Sequence, residues 1–578
     1  MFNFLLRIRA RLQRLFHLSE AHTMLLWACV AGFVGALATV LFRSGIDLVQ
    51  WLIVRHAGSL VEIAHALPWP VRIAMPALGG VVAGGFLVIA ARAPGDRTAS
   101  DYMEAITIGE GQIPVRQSLL RSLSSLCTIA TGGSIGREGS MVHLAALGAS
   151  VIGRFRRFDP PRLRLLVACG AAAGITSAYN APIAGAFFVT EIVLGSIAME
   201  NFGPIVVASV VANTTMRTLP GYHSAYVMPE FPVILGAESL LFVVLGMLAG
   251  VLSPLFLRGL DASKSVFRKT GWPLPVRLGL GGLGVGVLSV YAPEVWGNGY
   301  SVVNSILHSP WTWTALATVL IFKVVATSLT VGSGAIGGVF TPTLFVGATI
   351  GSLFGLGANA LWPHATSAPF AYAIVGMGAF LAAATSAPLM AILMIFEMTL
   401  SYQVVLPLML ACVVAYFIAR TQGETSMYEV IIARNRSEQE RVRLRATQMR
   451  ELIRPADTVI ADTAAFSEIT RVFLEYPVKY VYVVDPSGLF RGVVALQDVT
   501  SALLRHENTD AMRAADLLRE KFDYLTPDMS LGEGFQHFLM HQGERLPVIE
   551  SHATPTLLGV VYKTSLLDAY GRMGNARV

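Results

Sequence analysis

Apolar residues occur along this chain in long blocks, and those blocks set the first expectations about its fold. They fall at about 24–43, 71–92, 119–154, 163–195 and 203–217, then at about 236–257, 276–291, 314–331, 340–361, 370–399 and 403–419. A helix needs about 20 apolar residues to cross a bilayer, so the blocks predict membrane-embedded helices. Many are interrupted by Gly or Pro, several are short, and some run together. That irregularity predicts re-entrant and tilted helices whose irregular backbone is buried in protein, not a row of simple spans. After residue 420 the pattern changes. Residues 434–450 are densely charged and predict a cytoplasmic helical connector. From about 451 strand and helix patterns alternate, as in a soluble α/β module. Residues 480–485 and 492–495 read as strands around the turn Pro486-Ser487-Gly488, with a helix from about Asp498. The pattern returns at 545–550 and 559–562, with a helix from about Thr564, which predicts a paired domain.

Composition agrees with the blocks. The 578 residues are 54% hydrophobic and 14% charged, with mean hydropathy +0.59. Soluble domains carry about 25% charge, so the chain reads as a polytopic membrane protein. Its net charge of +6 (43 basic less 37 acidic residues) fits positive-inside loops and gives no case for nucleic acid. The four cysteines (Cys29, Cys127, Cys169, Cys412) lie far apart in apolar segments without metal-ligand spacing, which argues against metal or disulfide roles. Residues 1–23 begin by mixing Phe4, Leu5, Leu6, Leu12 and Phe16 with Arg7, Arg9, Arg11 and Arg14 and carry no small-residue cleavage site; they predict an interfacial amphipathic helix on the cytoplasmic face.

The candidate chemistry centres on Thr131-Gly132-Gly133-Ser134-Ile135-Gly136-Arg137-Glu138-Gly139-Ser140. A charged pair flanked by apolar runs is expensive, at least about 2.5–3.5 kcal/mol for one charge at bilayer depth. A glycine-rich break followed by a helix start leaves N–H groups free at the positive end of a helix dipole, a setting that favours anions. The chain also repeats itself. Ala181-Pro182 is followed nine residues on by Glu191, and Ala387-Pro388 nine residues on by Glu397. Ser134-Ile135-Gly136 matches Ala335-Ile336-Gly337, and Gly148-Ala149-Ser150 matches Gly347-Ala348-Thr349. The three offsets are 206, 201 and 199, so the halves carry related elements in one order. A duplicated membrane domain places its substrate where corresponding broken helices meet.

Gly136-Arg137-Glu138-Gly139 and Gly338-Val339-Phe340-Thr341-Pro342, with Tyr428 after the last apolar block, resemble the signatures of the CLC chloride channels and chloride/proton antiporters. The stretches 101–105, 296–301 and 337–345 are most similar to the bacterial ClcB-type branch, and residues 451–578 resemble a pair of CBS domains. The resemblance implies an all-α polytopic membrane domain of two inverted repeats of broken and tilted helices, plus a cytoplasmic α/β CBS pair. The expected division is 1–23, a transmembrane domain over 24–433 (repeats about 24–217 and 236–420), a linker over 434–450 and the CBS pair over 451–578. It further implies a homodimer in a bacterial inner membrane, with cytoplasmic termini and a separate anion pathway in each subunit.

The same resemblance assigns residues. Glu138 is the expected gate, its carboxylate competing with chloride for an anion site. Ser100, Gly136, Arg137, Gly139, Val339, Phe340 and Tyr428 form the expected anion-binding set, Val339 and Phe340 through main-chain amides and Tyr428 through its hydroxyl. Arg137 is expected to fix local structure more than to touch the anion. The family's serine-bearing loop is absent; Arg97-Thr98-Ala99-Ser100-Asp101 stands in its place, with Thr98 the alternative to Ser100. Antiporters of the family usually carry a glutamate one residue after the position of Glu191, and here that residue is Ile192. A proton path then runs through Glu138 with Glu191 or water as substitute, or Glu191 is a structural acid like Glu397. In the CBS pair, Asp498 lies six residues after Gly492, where ribose-binding carboxylates occur, whereas the second copy has Ser565; adenine nucleotide and a purely structural module both remain open.

The leading expectation is chloride transport, channel-like because of Ile192, with a chloride/proton antiporter of non-standard proton route as the alternative. A CBS-bearing divalent-cation transporter is more remote, because few acids lie in the apolar blocks. No nucleophile and base converge in the sequence, so no enzyme is expected; His143, five residues after Glu138, has no evident partner. No cofactor is required beyond chloride as ligand.

Overall fold

The computed structural model describes residues 20–55, 58–92, 101–107, 109–195, 198–219, 226–232, 234, 236–423, 426–428, 448–505, 509–541 and 543–575. The expected N-terminal amphipathic helix lies outside them as far as residue 19, and the charged connector as far as residue 447. The chain forms two compact units, Met1–Ala433 and Arg434–Val578.

The first unit is helical. Its N-terminal half holds α1 (Glu20–Val54), α2 (Leu60–Ala66), α3 (Trp69–Arg92), α4 (Tyr102–Thr107), α5 (Val115–Ala130), α6 (Glu138–Phe155), α7 (Pro160–Tyr179), α8 (Pro182–Phe187) and α9 (Met199–Thr218). A π-helical turn, Phe188–Val193, extends α8. The second half holds α10 (Ser239–Lys269), α11 (Leu274–Tyr291), α12 (Tyr300–His308), α13 (Trp313–Ser333), α14 (Phe340–Leu361), α15 (Pro369–Thr385), α16 (Pro388–Thr399) and α17 (Val405–Thr421). Among the described residues seven helices are long and apolar enough to cross a membrane. The merged blocks of the sequence are the broken ones. Block 119–154 divides into α5 and α6 around the glycine-rich stretch, and 163–195 and 370–399 divide at Pro182 and Pro388. Proline at the first helical turn lacks only an N–H that has no intrahelical partner there anyway. The residue before each break, Asn180 and its repeat mate Ser386, is left-handed at φ 60° and 57°.

Helices in this unit pack through small residues, as expected where lipid removes the hydrophobic drive between them. A methyl at Gly170 would lie 2.7 Å from the Ala145 carbonyl oxygen across α6 and α7. Across the repeat-mate pair α14 and α15, a methyl at Gly347 would lie 2.5 Å from the Gly376 carbonyl oxygen. The same close approach recurs in both halves, so the duplication extends from motif to packing.

The second unit has β1 (Val459–Ala461), α18 (Phe466–Glu475), β2 (Tyr480–Val484), β3 (Phe490–Ala495), α19 (Leu496–Leu504), α20 (Leu531–Met540), β4 (Arg545–Ile549), β5 (Leu557–Tyr562) and α21 (Lys563–Asn575). Strands β2 and β3 pair antiparallel with Tyr480 opposite Ala495, and β4 and β5 with Arg545 opposite Tyr562. Each hairpin has a register shift at its end, and each leads into a helix. Gly492 and Gly559 match at φ 150° and 155°, each against the backbone of an arginine, Arg519 and Arg454. This two-copy α/β arrangement is consistent with a CBS pair.

Candidate functional site

The two glycine breaks meet. Gly136 N–H donates to the Gly338 carbonyl at 2.7 Å and Gly338 N–H to the Gly136 carbonyl at 2.8 Å, an isolated antiparallel bridge between the repeats. Side chains are excluded there by space: a methyl at Gly136 would lie 2.1 Å from Glu138 Oε2 and 2.8 Å from the Gly338 carbonyl oxygen. Gly139 packs against the same bridge, its missing methyl 3.2 Å from Gly338 N. The approach to the bridge is pinned from the second repeat. Ser134 N–H donates to Thr330 Oγ1 at 3.2 Å, and Ser134 Oγ lies 3.1 Å from Thr327 Oγ1. Gly132, at φ 99°, lies against the Trp296 ring, where any side chain would clash.

Beyond the bridge, α6 and α14 begin. The first intrahelical bond of α6 runs from Met141 N–H to Arg137 C=O, and that of α14 from Thr343 N–H to Val339 C=O. The amides of Glu138, Gly139, Ser140, Phe340 and Thr341 precede those bonds and have no intrahelical acceptor. Here the expected amide set is corrected at one position. The Gly136 N–H is committed to the bridge, which removes it from the donors open to an anion.

Glu138 is 1% exposed. Its Oε1 accepts a hydrogen bond from Tyr300 O–H at 2.7 Å and another from Thr341 Oγ1. Tyr179 O–H lies 2.9 Å from Thr341 Oγ1. A threonine hydroxyl has one proton, so with that proton on Glu138 the tyrosine is the donor of this pair. Glu138 Oε2 is buried without a partner, facing Gly136 and Gly338. Arg137 does not pair with it among the described residues; its guanidinium stands 5.1 Å from the centre of the Tyr300 ring.

A cavity of about 380 Å³ reaches Glu138, Gly139, Val339, Phe340 and Tyr428. Phe340 closes one side, its ring 5.2 Å from Tyr179 and 6.5 Å from Phe188, and Phe188 in turn meets Tyr428 edge-on at 5.9 Å. Asp101, Arg121 and His143 also line the cavity. His143 Nε2 is buried without a hydrogen-bond partner, and its ring meets Tyr102 edge-on. Ser100 and Thr98 lie outside the described residues. The motifs do not include Lys323: fully buried, it donates to the carbonyls of Val295 at 3.0 Å and Gly297 at 2.8 Å, fixing the turn that leads into Tyr300. A lysine within the block 314–331 was the signal available in the sequence.

Glu191 is not in this cavity's lining. Its carboxylate accepts the N–H groups of Leu389 at 3.3 Å and Met390 at 2.7 Å at the start of α16. Glu397 does the same for Ile183 at 2.9 Å and Ala184 at 2.7 Å at the start of α8. Ile192 is buried. In the second unit Asp498 is held by Arg519, with Nε at 2.6 Å and Nη2 at 2.7 Å from its two oxygens. Among the described residues no group of three or more His, Cys, Asp or Glu forms a metal cluster.

Residues 79–420 match the family model described as voltage gated chloride channel. A protein of Ralstonia nicotianae described as a ClcB-like chloride channel protein is 53% identical over 419 residues, covering 72% of this chain and 98% of that one. Among solved structures, a slow cyanobacterial Cl⁻/H⁺ antiporter is similar with a TM-score of 0.63 and 27% identity, over 72% of this chain and 98% of the other. A eukaryotic CLC transporter matches over 95% of this chain and 99% of its own, with a TM-score of 0.58; at 18% identity it speaks for the fold alone.

Proposed function

This chain belongs to the voltage gated chloride channel (CLC) family, and from that membership we propose that it carries chloride across a membrane along a pathway closed by Glu138. The observation that carries the reading is the position of the Glu138 carboxylate: buried, beside the bridge that joins the two repeats, on a cavity that the α6 and α14 starts also line. Backbone N–H groups at those helix starts replace hydration without a full positive charge that would trap the ion. Gly139, Val339, Phe340 and Tyr428 face the chloride route. Arg137 acts by holding Tyr300. Protonation of Glu138 removes its charge and frees the route, which couples flux to pH.

Within that reading conduction is channel-like. Ile192 offers no proton, and Glu191 is engaged with the start of α16. The second reading, a chloride/proton antiporter, is favoured by the likeness to the solved Cl⁻/H⁺ antiporter and needs water in the cavity as proton route. The protein is an integral membrane protein; two copies pair in a bacterial inner membrane with both termini in the cytoplasm. The CBS pair serves as a structural module, because a nucleotide ribose at Asp498 would have to displace Arg519.

The test uses full-length protein in liposomes. A chloride gradient drives flux in the wild type, and Glu138→Gln leaves flux high and independent of pH. Unchanged pH dependence in that variant rejects Glu138 as gate. Uphill proton movement driven by chloride rejects the channel reading and leaves the antiporter.

A further inference from the structure

We infer that Tyr300, Thr341 and Tyr179 form a hydroxyl latch that holds charged Glu138 in the pathway and sets the pH at which chloride flux rises. The inference rests on the gate reading above and adds the part that regulates it.

Three elements from both repeats supply the latch. Tyr179 ends α7, Tyr300 begins α12, and Thr341 lies in the first turn of α14. Their hydroxyls converge on one carboxylate oxygen: Tyr300 and Thr341 donate to Glu138 Oε1 directly, and Tyr179 backs Thr341. Each donor is held in place. The Tyr300 ring is fixed by the Arg137 guanidinium at 5.1 Å, by Tyr226 edge-on at 4.8 Å, and through its turn by Lys323. Thr341 and Tyr179 are both buried.

The chemistry suits a catch that must release. A cation at this distance would pin the carboxylate, whereas a hydroxyl bond to it is strong only while the acceptor is charged; charge-assisted bonds are about twice as strong as neutral ones. Protonation of Glu138 therefore weakens both bonds at once. The partnerless Oε2, in its glycine niche, is the oxygen left to take the proton. Tyr226 and Tyr428 are the other groups in electrostatic reach of the carboxylate, and Arg137, its neighbour in the chain, acts on Tyr226 and the Tyr300 ring. Asp101, Tyr102, Arg121 and His143 face it along the cavity. All of these stay constant across the variants below.

The experiment measures chloride flux against pH in liposomes containing full-length protein. Tyr300→Phe and Thr341→Val each remove a donor with little change of shape. Each moves the half-maximal flux to higher pH by roughly one unit, the size of one hydrogen bond to a charged group. Thr341→Ser keeps the hydroxyl and restores the wild-type curve, which separates the latch from packing. Tyr179→Phe gives a smaller shift in the same direction. On a Glu138→Gln background none of the substitutions moves the curve. Wild-type curves for both Tyr300→Phe and Thr341→Val overturn the latch, as do equal shifts on the Glu138→Gln background. If Glu138→Gln itself retains the pH dependence, the gate fails and the latch with it; if only the hydroxyl variants are silent, the latch fails and the gate stands.

Discussion

Glu191 and Glu397 cap each other's helices: Glu191 closes the start of α16, which bears Glu397, and Glu397 closes the start of α8, whose extension bears Glu191. The two repeats are thus clasped by a reciprocal pair of carboxylates, each at the positive end of a helix dipole. Losing one cap of this kind costs about 1–2 kcal/mol. Glu191→Ala and Glu397→Ala are expected to lower the melting temperature of the purified protein similarly, with Glu191→Gln intermediate. Flux through the surviving folded protein keeps its pH dependence in all three. A Glu191→Gln variant that melts like wild type but loses chloride-driven proton movement would instead make Glu191 a proton carrier.

The niche of the Glu138 carboxylate predicts a graded series. A methyl at Gly136 lands 2.1 Å from Glu138 Oε2, and one at Gly338 lands 3.2 Å from it. Gly136→Ala should expel the carboxylate and raise chloride flux at alkaline pH, approaching Glu138→Gln. Gly338→Ala should do so weakly. Flux assays on the two variants decide the matter; equal, wild-type-like curves would mean that the niche does not position the gate.

Lys323 makes a separate prediction. Replacing it with Met leaves the Val295 and Gly297 carbonyls without their partner in a fully buried site. Each such group costs about 1–3 kcal/mol, offset in part because an amine no longer has to be buried. The net expectation is a loss of roughly 2 kcal/mol in stability, read as a lower melting temperature. Because the turn also aims Tyr300, the flux curve should move to higher pH, as in Tyr300→Phe. A stability loss without that shift would confine Lys323 to a structural role.

Much of this was readable in the chain, for identifiable reasons. Breaks at membrane depth demand Gly or Pro, so Gly132–Gly136 and the Ala-Pro pairs announced where helices end. The repeat offsets announced that two such breaks belong together, and the Gly136–Gly338 bridge is where they meet. What the sequence hid was convergence. Tyr300 and Glu138 are 162 residues apart, and nothing local to either predicts that they touch. Thr341 stands inside a motif whose glycines and helix start point to amides, and nothing local marks its hydroxyl. A free helix start and a bridged backbone look the same in one dimension, so the sequence alone places the Gly136 amide among the anion's donors. Glu191 and Ile192 were legible as types, but only the position of Met390 revealed what the carboxylate does.

The last prediction concerns the second unit, where Asp485 organises the turn between β2 and β3. The Ser487 hydroxyl, foremost, holds this carboxyl below the usual carboxylate range, with help from the N–H groups of Leu489 and Ser487 and from Arg491. The bonds are 2.9 Å from Ser487 N–H and 3.0 Å from Leu489 N–H, and Arg491 Nη2 lies 3.1 Å from Oδ2. A carboxyl whose value is depressed on folding contributes stability above its unfolded value and loses it as pH falls through the folded one. The contribution is therefore complete at neutral pH and fades below about pH 4. Asp485→Asn keeps the side chain's shape but not its charge. Hydrogen exchange of the 484–490 turn in the full-length protein should be faster in the variant than in the wild type at neutral pH. The difference should shrink in acid, where the wild-type carboxyl also becomes neutral. A difference that stays constant down to the acid end would mean that the turn depends on the asparagine's altered hydrogen-bonding pattern and not on the lost charge.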